Sequence, residues 1–245
     1  PDSDVVLSII SSDTGEATVT SSLTFTSANW DTAQTVTVTG VDDHLVDGTE
    51  ISTITIAVVD VASDNNFDGV ADQTVSVSTT DDDVAGFTIV ELEGSTAVDE
   101  SGTTDTFTVV LNAQPDSDVV VAITSSDTGE ASSNSPLTFT SSNWDTAQTV
   151  TVTGVDDFLL DGTITSDLVV AIVDASSDNN FDAVADQTVS VSTTDDDVAG
   201  FTVAETEGST GVTEAGGTDT FTIVLNAQPD SDVVLSIISS DTGEA

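Results

Sequence analysis

Three adjacent carboxylates, Asp81, Asp82 and Asp83, close a Thr/Val-rich run, and the stretch around them, TTDDDVAGF from Thr79 to Phe87, returns unchanged as Thr193 to Phe201 with Asp195, Asp196 and Asp197. Nothing basic stands near either triplet. The chain has no Lys or Arg against 45 Asp and Glu, a formal net charge of −45. Two unit charges about 4 Å apart repel by roughly 4 kcal/mol at an effective dielectric near 20. A cation from outside the chain has to relieve that repulsion, and calcium, which gathers carboxylate and carbonyl oxygens, is the expected one.

Two further acidic clusters have the residue types for the same chemistry. VDDHLVDGTE, Val41 to Glu50, follows a Thr/Val run and carries Asp42, Asp43 and Asp47, with counterparts Asp156, Asp157 and Asp161. A turn at a strand end can converge such carboxylates on one ion, and a solvated acidic turn is the alternative. Glu50 becomes Ile164 in the second copy and is not counted as a ligand. SDNNFDGVAD, Ser63 to Asp72, places Asp64, Asn66, Asp68 and Asp72 in the D-x-N-x-D-G spacing of a calcium loop. Val75 stands where a complete loop has its bidentate Glu. The second copy keeps Asp178, Asn180, Asp182 and Asp186 but replaces the turn glycine with Ala183. An Asn/Asp-rich hairpin loop explains this cluster equally well.

Other chemistry has little to work with. Cys and Tyr are absent along with Lys and Arg, and the single histidine, His44, becomes Phe158 in the next copy. A repeated Ser-His-Asp arrangement is therefore excluded, and the chain is expected not to be an enzyme. So acidic a surface repels nucleic acid and anionic membranes, which need basic contacts. No apolar run is long enough to span a bilayer, so no membrane insertion is expected. The Trp30 and Trp144 pair is expected to cap a core rather than to form a sugar-stacking platform.

The elements that position these acids repeat. PDSDVV begins at Pro1, Pro115 and Pro229, a period of 114 residues, and residues 1–17 are identical to 229–245. That period suits an array of domains rather than a solenoid. Within it the chain alternates Thr with Val and is punctuated by Gly, Asp, Asn and Ser. Strands are expected at Asp4 to Ile10, Leu23 to Thr26, Gln34 to Val41, Ile51 to Val59, Gln73 to Ser78, Phe87 to Val90 and Asp105 to Asn112. No helical stripe is evident. Hydrophobic residues make up 37% of the chain, enough for a core, so a folded acidic protein is expected rather than a disordered one. The expected fold is all-β: tandem Ig-like antiparallel β-sandwiches. The expected boundaries are a partial repeat at 1–83 lacking its opening strands, a complete repeat at 84–197, and the opening strands of another at 198–245.

The order of features resembles the Calx-β domain. An early Glu (Glu100, in VDESGT) precedes DTFTVVLNAQPDSDVVV, then come LTFTSSNW, QTVTVTGVDD and a closing DDD. The resemblance covers the central copy and both flanking fragments. It implies a calcium-binding sandwich of the kind found in exchangers, integrin β4 and tandem bacterial surface proteins. By motif it implies ligands Glu100, Asp156, Asp157, Asp161, Asp195, Asp196 and Asp197 in the central copy. In the first copy it implies Asp42, Asp43, Asp47, Asp81, Asp82 and Asp83, and Glu214 (VTEAGG) takes the early-Glu place in the last fragment.

The reading that follows is a calcium-stiffened structural array from a secreted, extracellular surface protein, partnered by neighbouring repeats or copies of itself. Two alternatives stand beside it. One is a filament subunit joined head to tail by strand complementation between its partial repeats. The other is an adhesin module whose glycan or cell-surface ligand is bound elsewhere in a parent chain.

Overall fold

Val and Thr at alternate positions give strands with one dry face and one wet face, because successive side chains point to opposite sides of the pleat. The computed structural model, which describes residues 1–243, is built from such strands. Its helical segments are three-residue 3₁₀ turns. Among the described residues no helix is long and apolar enough to cross a membrane. The chain divides into two compact units, one comprising 1–86 with 111–117 and 140–145, the other 87–110, 118–139 and the chain from 146 onward.

In the first unit the strands are β1 (Val5–Ser11), β2 (Ala17–Val19), β3 (Ser22–Phe25), β4 (Val38–Gly40), β5 (Thr49–Val58) and β6 (Gln73–Thr80). One antiparallel sheet has the order β3-β1-β5-β6, and β2 with β4 forms a separate ribbon. Val5, Ile9, Ala17 and Ile54 are buried. The strand expected over Gln34 to Val41 forms only at Val38–Gly40. β4 pairs along one edge, with β2, and among the described residues no second strand meets the other.

The second unit contains β7 (Phe87–Glu91), β8 (Thr96–Asp99), β9 (Thr104–Leu111), β10 (Val119–Ser125), β11 (Ala131–Ser133), β12 (Leu137–Phe139), β13 (Gln148–Gly154), β14 (Thr163–Ile172), β15 (Gln187–Thr194), β16 (Phe201–Glu205) and β17 (Phe221–Leu225). A five-stranded sheet β12-β10-β14-β15-β8 and a four-stranded sheet β11-β13-β9-β7 make the sandwich, and β16-β17 is a separate hairpin. Among the described residues the strands of this unit pair antiparallel except β8 with β15. β13 has its full length here because it has partners on both edges, β11 and β9. Phe107, Val109, Val119, Val121, Phe139, Val150, Val152, Leu168, Val170 and Phe181 are fully buried, from strands of both sheets and the loop before β15. Burying a side chain of this kind stabilises by about 1.5–3 kcal/mol. The fold is the all-β sandwich architecture expected.

Candidate metal centre

One end of the second unit gathers acids from four places in the chain. β8 runs parallel to β15 with Asp99 opposite Thr194, which brings the residues that follow, Glu100 and Asp195, out at the same end. The Glu100 N–H donates to Thr194 O at 3.1 Å and holds it there. Gly154 makes the approach possible, since a Cβ at that position would lie 1.9 Å from Asp99 O. The triplet is braced to the loop after β13. Asp195 N donates to Gly162 O at 3.1 Å, and Gly162 N donates back to Asp195 Oδ2 at 3.0 Å. Gly162 has φ +79, a conformation that glycine adopts without strain. Within that loop Asp157 Oδ1 accepts from Leu159 N at 2.6 Å. Glu130, just before β11, is placed by Val155 N donating to its carbonyl at 2.9 Å.

The result is two overlapping groups, Glu100 with Asp157 and Asp197, and Glu100 with Glu130 and Asp161, whose carboxylate oxygens lie within 4.8 Å of one another in each group. Glu100 is 1% exposed and Glu130 5%. Both Glu100 oxygens, Glu130 Oε2 and Asp197 Oδ2 are buried with no hydrogen-bond partner. A buried charge with neither a partner nor a donor is costly, so such groups take up a proton or a metal. Glu100 is pushed up from 4.5 to about 7, first by burial and then by Glu130, Asp157, Asp161 and Asp195. Burial and Asp161, followed by other acids, raise Glu130, and burial and the neighbouring aspartates raise Asp197.

The first unit assembles a looser version. Glu16, Asp43 and Asp47 form one group and Asp42, Asp82 and Asp83 another, each with oxygens within 4.8 Å, and no residue of either group is buried. Burial and then neighbouring acids raise Glu16 and Asp47. Burial also raises Asp83, and His44 opposes that shift. Asp81 is a brace rather than a free acid: it accepts from Gly48 N at 2.9 Å and Asp83 N at 2.7 Å, and these bonds hold its carboxyl below the usual range. Asp195 makes the same two bonds, to Gly162 N and, at 2.8 Å, Asp197 N.

Among the described residues, Asp81, Asp156, Asp195, Asp196 and Glu214 join neither kind of group. The Asn/Asp-rich loops do not converge on a point either. Asp64 is buried and already saturated by Asp2 N at 2.6 Å, Asn66 N at 3.0 Å and Asn66 Nδ2 at 2.9 Å, which lower its pKa. It caps the 3₁₀ turn Asn65–Phe67, and Asp178 caps Asn179–Phe181 in the same way, accepting from Asn180 N at 3.0 Å. Asp68, Asp72, Asp182 and Asp186 stand in none of the acid groups. Trp30, expected to cap a core, is 63% exposed.

Glu130 and Glu16 were not legible as site residues in the sequence. Their one signal is that SSDTGEA recurs in each copy, with the Glu kept at 16, 130 and 244.

The donor set fits calcium. Oxygens about 2.4 Å from a common ion lie at most about 4.8 Å apart, and calcium accepts several carboxylates in flexible geometry, whereas magnesium demands a tight octahedron and keeps its waters. Glu100, Glu130, Asp157, Asp161 and Asp197 are the residues that would hold it.

No protein-family model matches the chain, and no curated protein does. Among solved structures it is similar to domains 4 and 5 of the S-layer protein SbsC, at 16% identity and TM-score 0.35, over 77% of this chain and 70% of that one. It is similar to the calcium-binding domain CBD12 of CALX1.1 at 13% identity and TM-score 0.31, over 69% and 68%. It is similar to the E. coli chaperone DraB at 9% identity and TM-score 0.33, over 60% and 89%. At these identities and scores the function rests on the residues of the site itself.

Proposed function

We propose that the chain is a non-enzymatic, calcium-binding structural array of an extracellular surface protein or fibre, in which calcium stiffens the joints between repeats. The observation that carries this reading is the Glu100 carboxylate, buried with both oxygens unpartnered among four other carboxylates, in a chain without Lys or Arg. Bound calcium would supply the positive charge that the chain lacks.

The joint follows from where the ligand loop is fastened. Between Asp157 and Asp161, Phe158 O accepts from Gln228 N at 2.6 Å, and Leu159 bridges Gln228 in parallel. The same fastening occurs 114 residues earlier, with His44 O accepting from Gln114 N at 2.7 Å and Leu45 bridging Gln114. Ordering Asp157 and Asp161 would therefore order the backbone that grips the next repeat at Gln228, just after its opening hairpin. Affinity in the range of extracellular modules, roughly 10⁻⁴–10⁻³ M, is expected. Small-angle scattering with calcium and with a chelator tests the proposal. Calcium should lengthen and narrow the distance distribution, and identical curves would refute the joint.

A further inference from the structure

The segment by which the chain enters the second unit's sandwich is fastened to the strand by which it leaves. β7 starts at Phe87 and leads through the turn Leu92–Gly94 into β8, and β15 is the last strand of the sandwich. Thr96 pairs with Val191, Ala97 with Ser192, Val98 with Thr193 and Asp99 with Thr194, so β8 and β15 run in the same direction. Two further bonds close the pairing at its ends. Gln187 Nε2, at the start of β15, donates to Phe87 O at 2.8 Å, and Glu100 N, just past β8, donates to Thr194 O at 3.1 Å. β8 is an edge strand, and N–H groups on its outer edge are satisfied locally: Ala97 N donates to Asp105 Oδ2 at 2.9 Å and Asp99 N to Thr103 Oγ1 at 2.7 Å.

This arrangement decides how the sandwich meets tension. Phe87 lies beside the start of β15, and the acids lie at that strand's other end. Chain entering at Phe87 and chain leaving after Thr194 therefore depart from opposite ends of the pair, and pulling them apart slides β8 and β15 past each other. Inter-strand hydrogen bonds run across the strands, so a sliding load falls on all of them at once and they must break together. A load that opens the same pair from one end breaks them one by one and needs far less force. On its other edge β15 is anchored by eight register pairs with β14.

We propose that the β8–β15 pair is the mechanical clamp of the sandwich: tension drawn along the chain loads it in shear, and an ion held between Glu100 and Asp197 fastens its exit end. Glu100 follows β8, Asp197 follows β15, and the two share one acid group. A cation bound by both joins the entering and leaving segments directly and must let go before the strands can slide. The part played by the ion rests on the calcium-binding reading above, and the geometry of the clamp does not. The sandwich is then an element that carries tension through its fold, and external calcium sets how much.

Forced unfolding reads the rate at which the native state is left. The chain lacks cysteine, so engineered pairs choose the direction of pull. Handles on Val84→Cys and Val198→Cys, both exposed and one period apart, draw β8 and β15 past each other. Handles on Ser101→Cys and Val198→Cys pull from the acid end and peel the same pair. In optical tweezers at one loading rate, the first geometry should unfold at severalfold higher force than the second, and calcium should raise the first further. Glu100→Gln in the first geometry should abolish the calcium increment and leave the force in chelator near that of the parent. A strong first geometry that ignores calcium supports the clamp and removes the ion from it. Scattering reads the joints and forced unfolding reads the sandwich, so either result can fail while the other stands. Equal forces in the two geometries, or a first geometry weaker than the second, would overturn the proposal.

Discussion

The two acidic ends come from one 114-residue repeat and yet differ in burial. In the second unit Glu100 directly follows β8, and Glu100 and Glu130 are shut away from water. In the first unit Glu16, Asp43 and Asp47 all keep some exposure to water, and among the described residues no strand delivers a counterpart of Glu100. The aspartates are nearly the same in both. The difference teaches that the aspartate runs, conspicuous as they are, supply charge, and that the parallel strand beside β15 creates the dry site that demands an ion.

Chelation should separate the two regions most. A ligand at a hundred times its Kd stabilises by about 2.7 kcal/mol, and about 1 kcal/mol moves the melting temperature of a small domain by roughly 4–8 °C. Calorimetry should therefore show the second unit's transition falling by about 10 °C or more in chelator, with the first unit's moving much less. Equal shifts would mean that burial is irrelevant to binding.

The glycines offer a matched pair. Gly154→Ala puts a methyl into Asp99 O and should cost about 1–3 kcal/mol, as overpacking does, while loosening calcium binding through Glu100. At Gly40, the counterpart, the nearest atom to an added Cβ is Thr79 Cγ2 at 4.0 Å, so Gly40→Ala should be close to neutral in chemical denaturation.

Glu130→Gln and Glu100→Gln should each weaken calcium binding in calorimetric titration by tenfold or more, and Glu16→Gln by much less. In chelator Glu100→Gln should leave the protein as stable as the parent or more so at neutral pH, because it removes a buried charge. If Glu16→Gln and Glu130→Gln behave alike, the contrast between the two ends fails.

The two ends should differ in pH dependence as well. Glu100 has a folded pKa of about 7 against an ordinary 4.5. The folded state then holds the proton more tightly, so without calcium stability is greatest below about pH 4.5 and declines as pH rises towards 7. With calcium the trend should reverse across the same window, since binding displaces that proton. A melting series at several pH values, with and without calcium, reads both slopes.

Much of this was open to a reader of the sequence. Thr/Val alternation in Gln148–Gly154 marks a half-buried strand, and it became one because β9 and β11 flank it. The identical alternation at Gln34–Gly40 did not form strand over Gln34–Thr37, since pairing depends on a neighbour that local pattern cannot reveal. The Asp42/Asp43/Asp47 and Asp156/Asp157/Asp161 runs were visible as charge. That Asp81 and Asp195 would spend their oxygens on backbone N–H groups was not visible, because the brace depends on where Gly48 and Gly162 fold back. Glu130 was hidden for a similar reason. It sits in an ordinary SSDTGEA turn and becomes a site residue only when that turn folds against the loop after β13.

Anomalous diffraction from crystals grown with calcium tests the central claim most directly. The account predicts a peak among Glu100, Glu130, Asp157, Asp161 and Asp197, with oxygens at about 2.3–2.6 Å. A site with no ion there, with calcium only on exposed aspartates, would contradict it.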